Sequence, residues 1–103
     1  MIEKLYKYSL TDKDLFENIV DDENLRLNHV VIESGKFFPR HKTDAHVYII
    51  ILKGQLSIEI GEQEEKRFGK GDVINIPFGV DSKLGNDTDT ITEAFVVKID
   101  PDK

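Results

Sequence analysis

The sequence predicts an all-β single domain, an antiparallel sandwich or barrel preceded by one short helix. A chain of 103 residues lies in the size range of one domain, and its 39% hydrophobic residues suffice for one core. After residue 24 the texture becomes a series of short runs rich in β-branched residues. Glycine, proline and asparagine punctuate these runs at short intervals, as they do between strands.

The helix is expected first. Thr11 followed by Asp14 has capping-box spacing, with a hydroxyl for the first turn and a carboxylate near its positive end. Leu15, Phe16, Ile19 and Val20 then fall on one apolar stripe, and Asp21-Asp22-Glu23-Asn24 ends it. That acidic cluster lacks the glycine and spacing of a calcium loop and reads as a solvated face and turn. The N-terminal segment, 1–24, is expected to share one domain with a barrel spanning 25–103.

Strands are expected at 25–33, 46–53, 55–60, 64–68, 72–76 and 91–99. The run from Val47 to Leu52 does not alternate, which predicts a strand covered on both faces. One face would look into the barrel, the other onto a second layer or another subunit. The hairpin around Gly61 does alternate, so one of its faces is solvated and its charges discourage edge pairing.

Composition excludes several functions. Twenty Asp and Glu against 14 scattered Lys and Arg give a net charge of -6, which argues against a nucleic-acid partner. The absence of cysteine removes disulfides, thiolate catalysis, zinc fingers and iron–sulfur sites. The longest apolar run is far short of the roughly 18 residues of a membrane span, and the opening residues do not read as a secretory signal. A cytoplasmic protein without a membrane partner is the expectation.

The most specific signal is a pair of spaced motifs. Gly35, His41 and Gly54 sit in GKFFPRHKTDAHVYIIILKG, and Gly71, Pro77, Gly79 and Asn86 sit in GDVINIPFGVDSKLGN. Together they cover 36 residues, with 16 residues between Gly54 and Gly71. This pattern resembles the cupin superfamily of small double-stranded β-helix, jelly-roll-like barrels. The resemblance implies tight glycine turns at 54, 69, 71 and 79, a strand exit at Pro77 and a turn held by Asn86. Asn86-Asp87-Thr88 also matches a glycosylation acceptor, which here is taken as accidental.

In metal-binding cupins two His and a Glu of the first motif and a His of the second hold one divalent ion. Carried over position by position, those four sites are His41, Thr43, Val47 and Ser82. A hydroxyl is a poor ligand beside imidazole or carboxylate, valine is none, and a catalytic metal generally needs about three protein ligands. No metal and no other cofactor are therefore expected. If Val47 points into the barrel, His46 points out, and His29 on the preceding strand also faces outward as a surface or interface residue. Asp44 and Asp81 stand near the mouth, within reach of a metal only after loop rearrangement.

What remains is a polar cluster of His41, Thr43 and Ser82, with Asn28, ringed by Val30, Ile32, Val47, Ile49, Leu84, Ala94 and Val96. Apolar walls with a few convergent polar groups describe a small-molecule pocket. An imidazole there suits orienting a carboxylate or carbonyl, or general acid–base work. A serine-nucleophile reading of Ser82 with His41 lacks an orienting acid and a nucleophile elbow. Phe37 and Phe38 are read as packing residues near the pocket entrance.

The expected function is therefore binding of a small polar molecule by a metal-free barrel, in a homodimer of the kind the resemblance implies. Two alternatives stand beside it: a divergent metal-dependent dioxygenase or isomerase using His41, His46 and an acidic residue, and a non-catalytic sensory or structural module.

Overall fold

The structure, a computed structural model, describes residues 2–102 and forms nine strands with no helix among them. They are β1 (Leu15–Asp21), β2 (Arg26–Ile32), β3 (His41–Lys42), β4 (His46–Lys53), β5 (Gln55–Ile60), β6 (Lys66–Gly69), β7 (Val73–Ile76), β8 (Asp81–Gly85) and β9 (Thr92–Ile99). A five-stranded sheet in the order β1-β2-β9-β4-β7 faces a four-stranded sheet in the order β3-β8-β5-β6. All pairings are antiparallel.

Alternation along the strands builds the core. On β4, Val47, Ile49 and Ile51 are buried, and they meet Val30 and Ile32 of β2, Ala94 and Val96 of β9, and Leu56 and Ile58 of β5. Such a branched aliphatic interior is worth about 25 cal/mol for each Å² of apolar surface removed from water. The expected strand starting at 46 and the one starting at 55 coincide with β4 and β5. Three strands escape the sequence reading: β1, β3 and β8. Asp81-Ser82-Lys83-Leu84-Gly85 contains no β-branched residue, and it is a strand because β5 and β3 supply ladders on either side.

The expected N-terminal helix is wrong. Leu15–Asp21 is a strand paired with β2, from Leu15 opposite Val31 to Asp21 opposite Arg26. Two helical turns are too few to be stable alone, whereas Phe16, Ile19 and Val20 favour a sheet that offers them an edge. The capping residues are used otherwise. Thr11 Oγ1 accepts from Lys13 N–H at 3.1 Å, and Asp14 and Glu33 exchange backbone-to-carboxylate bonds at 2.9 and 2.6 Å. The acidic stop is a hairpin turn, in which Asp22 Oδ1 accepts from the N–H groups of Asn24 and Leu25.

Asn86 holds the turn before β9 more firmly than its motif position suggests. Fully buried, it donates through Nδ2 to the carbonyls of Ile32 at 2.9 Å and Thr90 at 2.6 Å, and accepts from Thr88 N–H and Oγ1. An amide so enclosed is closed to glycosylation. Beside it, Asp87 binds Ser57 Oγ and Arg67, which holds its carboxyl below the ordinary aspartate range, Arg67 first and Ser57 second. Gly54 is required sterically: its φ is +71°, and a Cβ there would strike the Ile91 carbonyl oxygen.

His29 faces out of the barrel as alternation predicts, but it is not a surface residue. It has no exposed area, because the N-terminal segment crosses it and places the Tyr8 ring 4.8 Å away, centroid to centroid. Its Nδ1 lies 2.7 Å from Glu17 Oε2 and its Nε2 lies 2.6 Å from Glu93 Oε2. A ring facing a carboxylate at each nitrogen donates twice only when doubly protonated. Glu17 also receives Ser9 N–H at 2.8 Å and Ser9 Oγ at 2.9 Å, so one carboxylate ties the N-terminal segment to the sheet.

Asn86→Ala removes four hydrogen bonds and strands the buried Ile32 carbonyl, and should lower the unfolding free energy by about 3 kcal/mol in urea titrations. A loss of under about 1 kcal/mol would contradict the role given to this side chain. The Ser9 N–H, followed by His29, holds the Glu17 carboxyl below the usual glutamate range. A depressed folded pKa gives stability that is complete above about pH 4.3 and lost as pH falls through the folded value. Thermal midpoints measured from pH 6 downward should therefore drop less steeply in Glu17→Gln than in the parent, although the variant starts lower.

Candidate functional site

Between the sheets, at the end marked by β3 and the start of β4, lies a cavity of about 400 Å³. All five residues expected at the site line it: Asn28 from β2, His41 from β3, Thr43, Val47 from β4 and Ser82 from β8. Val30, Leu84 and Val96 of the expected ring do so too, whereas Ile32, Ile49 and Ala94 pack into the core. Register explains the convergence, since His41 pairs with Ser82 and Asn28 with Val96.

The polar groups differ sharply in what they have left to give. Thr43 is 6% exposed, and its Oγ1 is used twice, donating to the Pro77 carbonyl at 2.6 Å and accepting from Val80 N–H at 3.0 Å. It fastens the segment before β4 to the Pro77–Val80 turn. His41 is exposed at the mouth. A carbonyl only accepts, so its Nδ1, 3.1 Å from the Pro39 carbonyl, carries the proton there, and Nε2 is left for another partner.

Ser82 and Asn28 behave differently. Ser82 is 2% exposed, and its hydroxyl hydrogen-bonds to no described residue; it is not sealed from solvent and meets it in the cavity. Asn28 is 6% exposed and accepts through Oδ1 from Asn18 Nδ2 at 2.9 Å. The same Asn18 Nδ2 lies 3.2 Å from the Val20 carbonyl, which fixes the Asn18 amide as the donor. Asn28 Nδ2 is thereby left without a protein acceptor among the described residues, on the cavity wall.

Sequence reasoning missed four wall residues, Phe16, Pro39, Ile76 and Lys98, and weighed a fifth, Phe38, only as packing. Phe16 lines the cavity and stands edge-on to Phe38, with centroids 6.1 Å apart. It was hidden by the helix expectation. Phe38, read as packing, is cavity wall, while Phe37 lies under Lys83, with Nζ 4.9 Å from its ring. Lys98 also lines the cavity, and the alternation of Ala94 and Val96 on β9 was the signal for it. Pro39 joins the rim.

Asp44 stands on the rim 3.4 Å from Arg26 and 3.5 Å from Lys98. Burial pushes its carboxyl up, and these two charges outweigh that push and hold it below the ordinary range. Asp81 is held by Arg40 at 2.8 Å and does not line the cavity. His46 follows the opposite face of β4 from Val47, with its ring centroid 6.4 Å from that of Phe78.

These residues do not fit a divalent ion. The cavity offers one imidazole, a hydroxyl already committed, a valine and a free hydroxyl, and the nearest carboxylate is paired twice over. Among the described residues no three His, Asp or Glu converge as a metal site requires.

Two opposed antiparallel sheets enclosing an apolar interior with a cavity at one end define a double-stranded β-helix barrel. The chain belongs to the cupin superfamily, whose cupin domain matches residues 28–98. It is 33% identical over 99 residues to the uncharacterized protein MJ0764 of Methanocaldococcus jannaschii, covering 95% of this chain and 85% of that one. The crystal structure of MJ0764, described as an RmlC-like cupin with a double-stranded β-helix fold, matches with a TM-score of 0.93 and 32% identity over 97% of this chain and 93% of that one. A vicilin-like seed storage protein of Arabidopsis thaliana is 34% identical over 90 residues, which are 84% of this chain but 18% of that protein. A cupin-like protein from Thermotoga maritima shares the fold at 21% identity and a TM-score of 0.78, over 84% of this chain and 68% of that one. No described helix is long and apolar enough to cross a membrane.

The division of labour at this site is measurable. Thr43→Val should lose about 2 kcal/mol of stability, because it orphans the Pro77 carbonyl and the Val80 N–H. Ser82→Ala should leave the thermal midpoint unchanged or raise it, since it removes a buried polar group that no protein atom pairs. A large loss in Ser82→Ala would show that its hydroxyl is structural.

Proposed function

We propose that this protein is a cupin that binds a small molecule in its barrel without a metal held at the four family positions. One observation supports this reading: Ser82 Oγ and Asn28 Nδ2, on facing sheets and in residues that are otherwise buried, have no hydrogen-bond partner among the described residues and keep their contact with solvent on the same apolar cavity. Solvent in the cavity serves both atoms in the free protein, and a ligand that enters takes the place of that water at two hydrogen-bonding points. At about 400 Å³ the space lies at the small end of the range for ligand pockets, about 300–1,000 Å³. A cytoplasmic setting, with its reduced thiols, puts no constraint on a chain that has no cysteine.

Pairing of two copies through the outer face of the five-stranded sheet is part of the same proposal. Tyr48 and Val73 stand 40% and 63% exposed there, beside half-buried Ile50, Leu52 and Val97, a contiguous apolar strip of the kind that marks a contact surface.

Metal analysis of protein purified without chelator tests the first claim, with His41→Ala as control. Trace metal, equal in parent and variant, is expected; a stoichiometric ion that disappears with His41 would overturn the reading. Light scattering coupled to gel filtration should give twice the chain mass, and Tyr48→Glu should halve it. A monomeric parent would remove the pairing from the proposal.

A further inference from the structure

We infer that the molecule this cavity takes is a small carboxylate with an apolar body. The inference rests on the binding function proposed above and specifies its chemistry. Thr43 has no donor left, because its hydroxyl proton goes to the Pro77 carbonyl while the oxygen takes the Val80 N–H. Asn28 presents Nδ2, which only donates, since its oxygen is occupied by Asn18. Ser82 presents a hydroxyl with a rotatable proton. Both acceptor oxygens of Asp44 already face Arg26 and Lys98. His41 Nε2, an acceptor, stands at the exposed mouth, while the two inner positions, Asn28 Nδ2 and Ser82 Oγ, have protons to give and suit acceptor oxygens.

Charge selects an anion over a neutral carbonyl. The Lys98 side chain is only 21% exposed, its stem lies along the cavity wall, and its one carboxylate partner stands at 3.5 Å, the outer edge of an ion pair. That same carboxylate is shared with Arg26. An ammonium on this wall, compensated only at the outer edge of an ion pair, gains from an anionic oxygen placed in the cavity. Asp44 itself faces the mouth and repels free anions, so entry depends on Lys98 turning from Asp44 to the ligand. The remaining wall is hydrocarbon, from Phe16, Phe38, Ile76 and Val96, which suits a branched aliphatic or aromatic body rather than a sugar. In the bound state one carboxylate oxygen accepts from Asn28 Nδ2, the other from Ser82 Oγ, and Lys98 Nζ supplies the counter-charge.

Matched acids and neutral analogues test this: phenylacetate against phenylacetamide, and hexanoate against hexanol, followed by amide NMR of uniformly labelled protein. The expected result is saturable movement of the Asn28 side-chain NH₂ resonance with each acid, and affinity at least about tenfold weaker for its neutral partner, the factor one charged hydrogen bond supplies. Asn28→Asp keeps an oxygen for Asn18 while replacing the cavity-facing donor with an anionic oxygen, and Ser82→Ala removes the hydroxyl without touching the fold. Both should weaken the acids by at least about tenfold with thermal midpoints close to the parent. Neutral analogues that bind as tightly as the acids would overturn the carboxylate and leave small-molecule binding standing. Undiminished acid binding in a folded Asn28→Asp would also overturn it. If no probe of either kind moves the Asn28 and Ser82 resonances, this inference and the binding function beneath it both fall.

Discussion

An unpaired polar group inside a protein loses its bonds to water and gains nothing in return, a cost of about 1–3 kcal/mol each. This barrel obeys that constraint with care. Asn86 uses both ends of its amide, Thr43 uses its hydroxyl twice, and His29 places a carboxylate at each ring nitrogen. Set beside such pairing, Asn28 Nδ2 and the Ser82 hydroxyl have no protein partner among the described residues and meet solvent on one cavity. The functional reading follows from that contrast.

The same constraint explains how a barrel holds a pocket open without the side chains that ligate metal in metal-binding cupins. A divalent ion would gather its ligands and neutralise their charge. With valine and hydroxyls in those places, the inner end of the cavity needs another source of order. Thr43 supplies it from within, bonding the Pro77 carbonyl and the Val80 N–H so that the β3–β4 segment and the Pro77–Val80 turn hold their positions with no ligand bound. The wall is thus preorganised, and the binding groups are the ones the scaffold does not consume.

Much of this was legible in the sequence, and the failures share one cause. The glycine, proline and asparagine framework led to the fold, the cupin resemblance carried over position by position brought His41, Thr43, Val47 and Ser82 to one site, and alternation on the preceding strand added Asn28. The same alternation put His29 and His46 on the opposite face. Leu15–Asp21 was misread because its apolar residues fit a helical stripe, and only the long-range pairing with β2 decides for a strand. That error hid Phe16 and the Asn18 amide that orients Asn28. The burial of His29 under Tyr8 was likewise invisible, since local pattern does not report what a distant segment covers. That Thr43 is consumed by the backbone while Ser82 is free depends on bonds spanning more than thirty residues.

A crystal structure of the protein purified without chelator and soaked with phenylacetate addresses the central claim directly. The account predicts carboxylate oxygens within hydrogen-bond distance of Asn28 Nδ2 and Ser82 Oγ, the ring against Phe16 and Phe38, and no ion at His41. A metal ion in the cavity at ordinary coordination lengths from three or more side chains would contradict it.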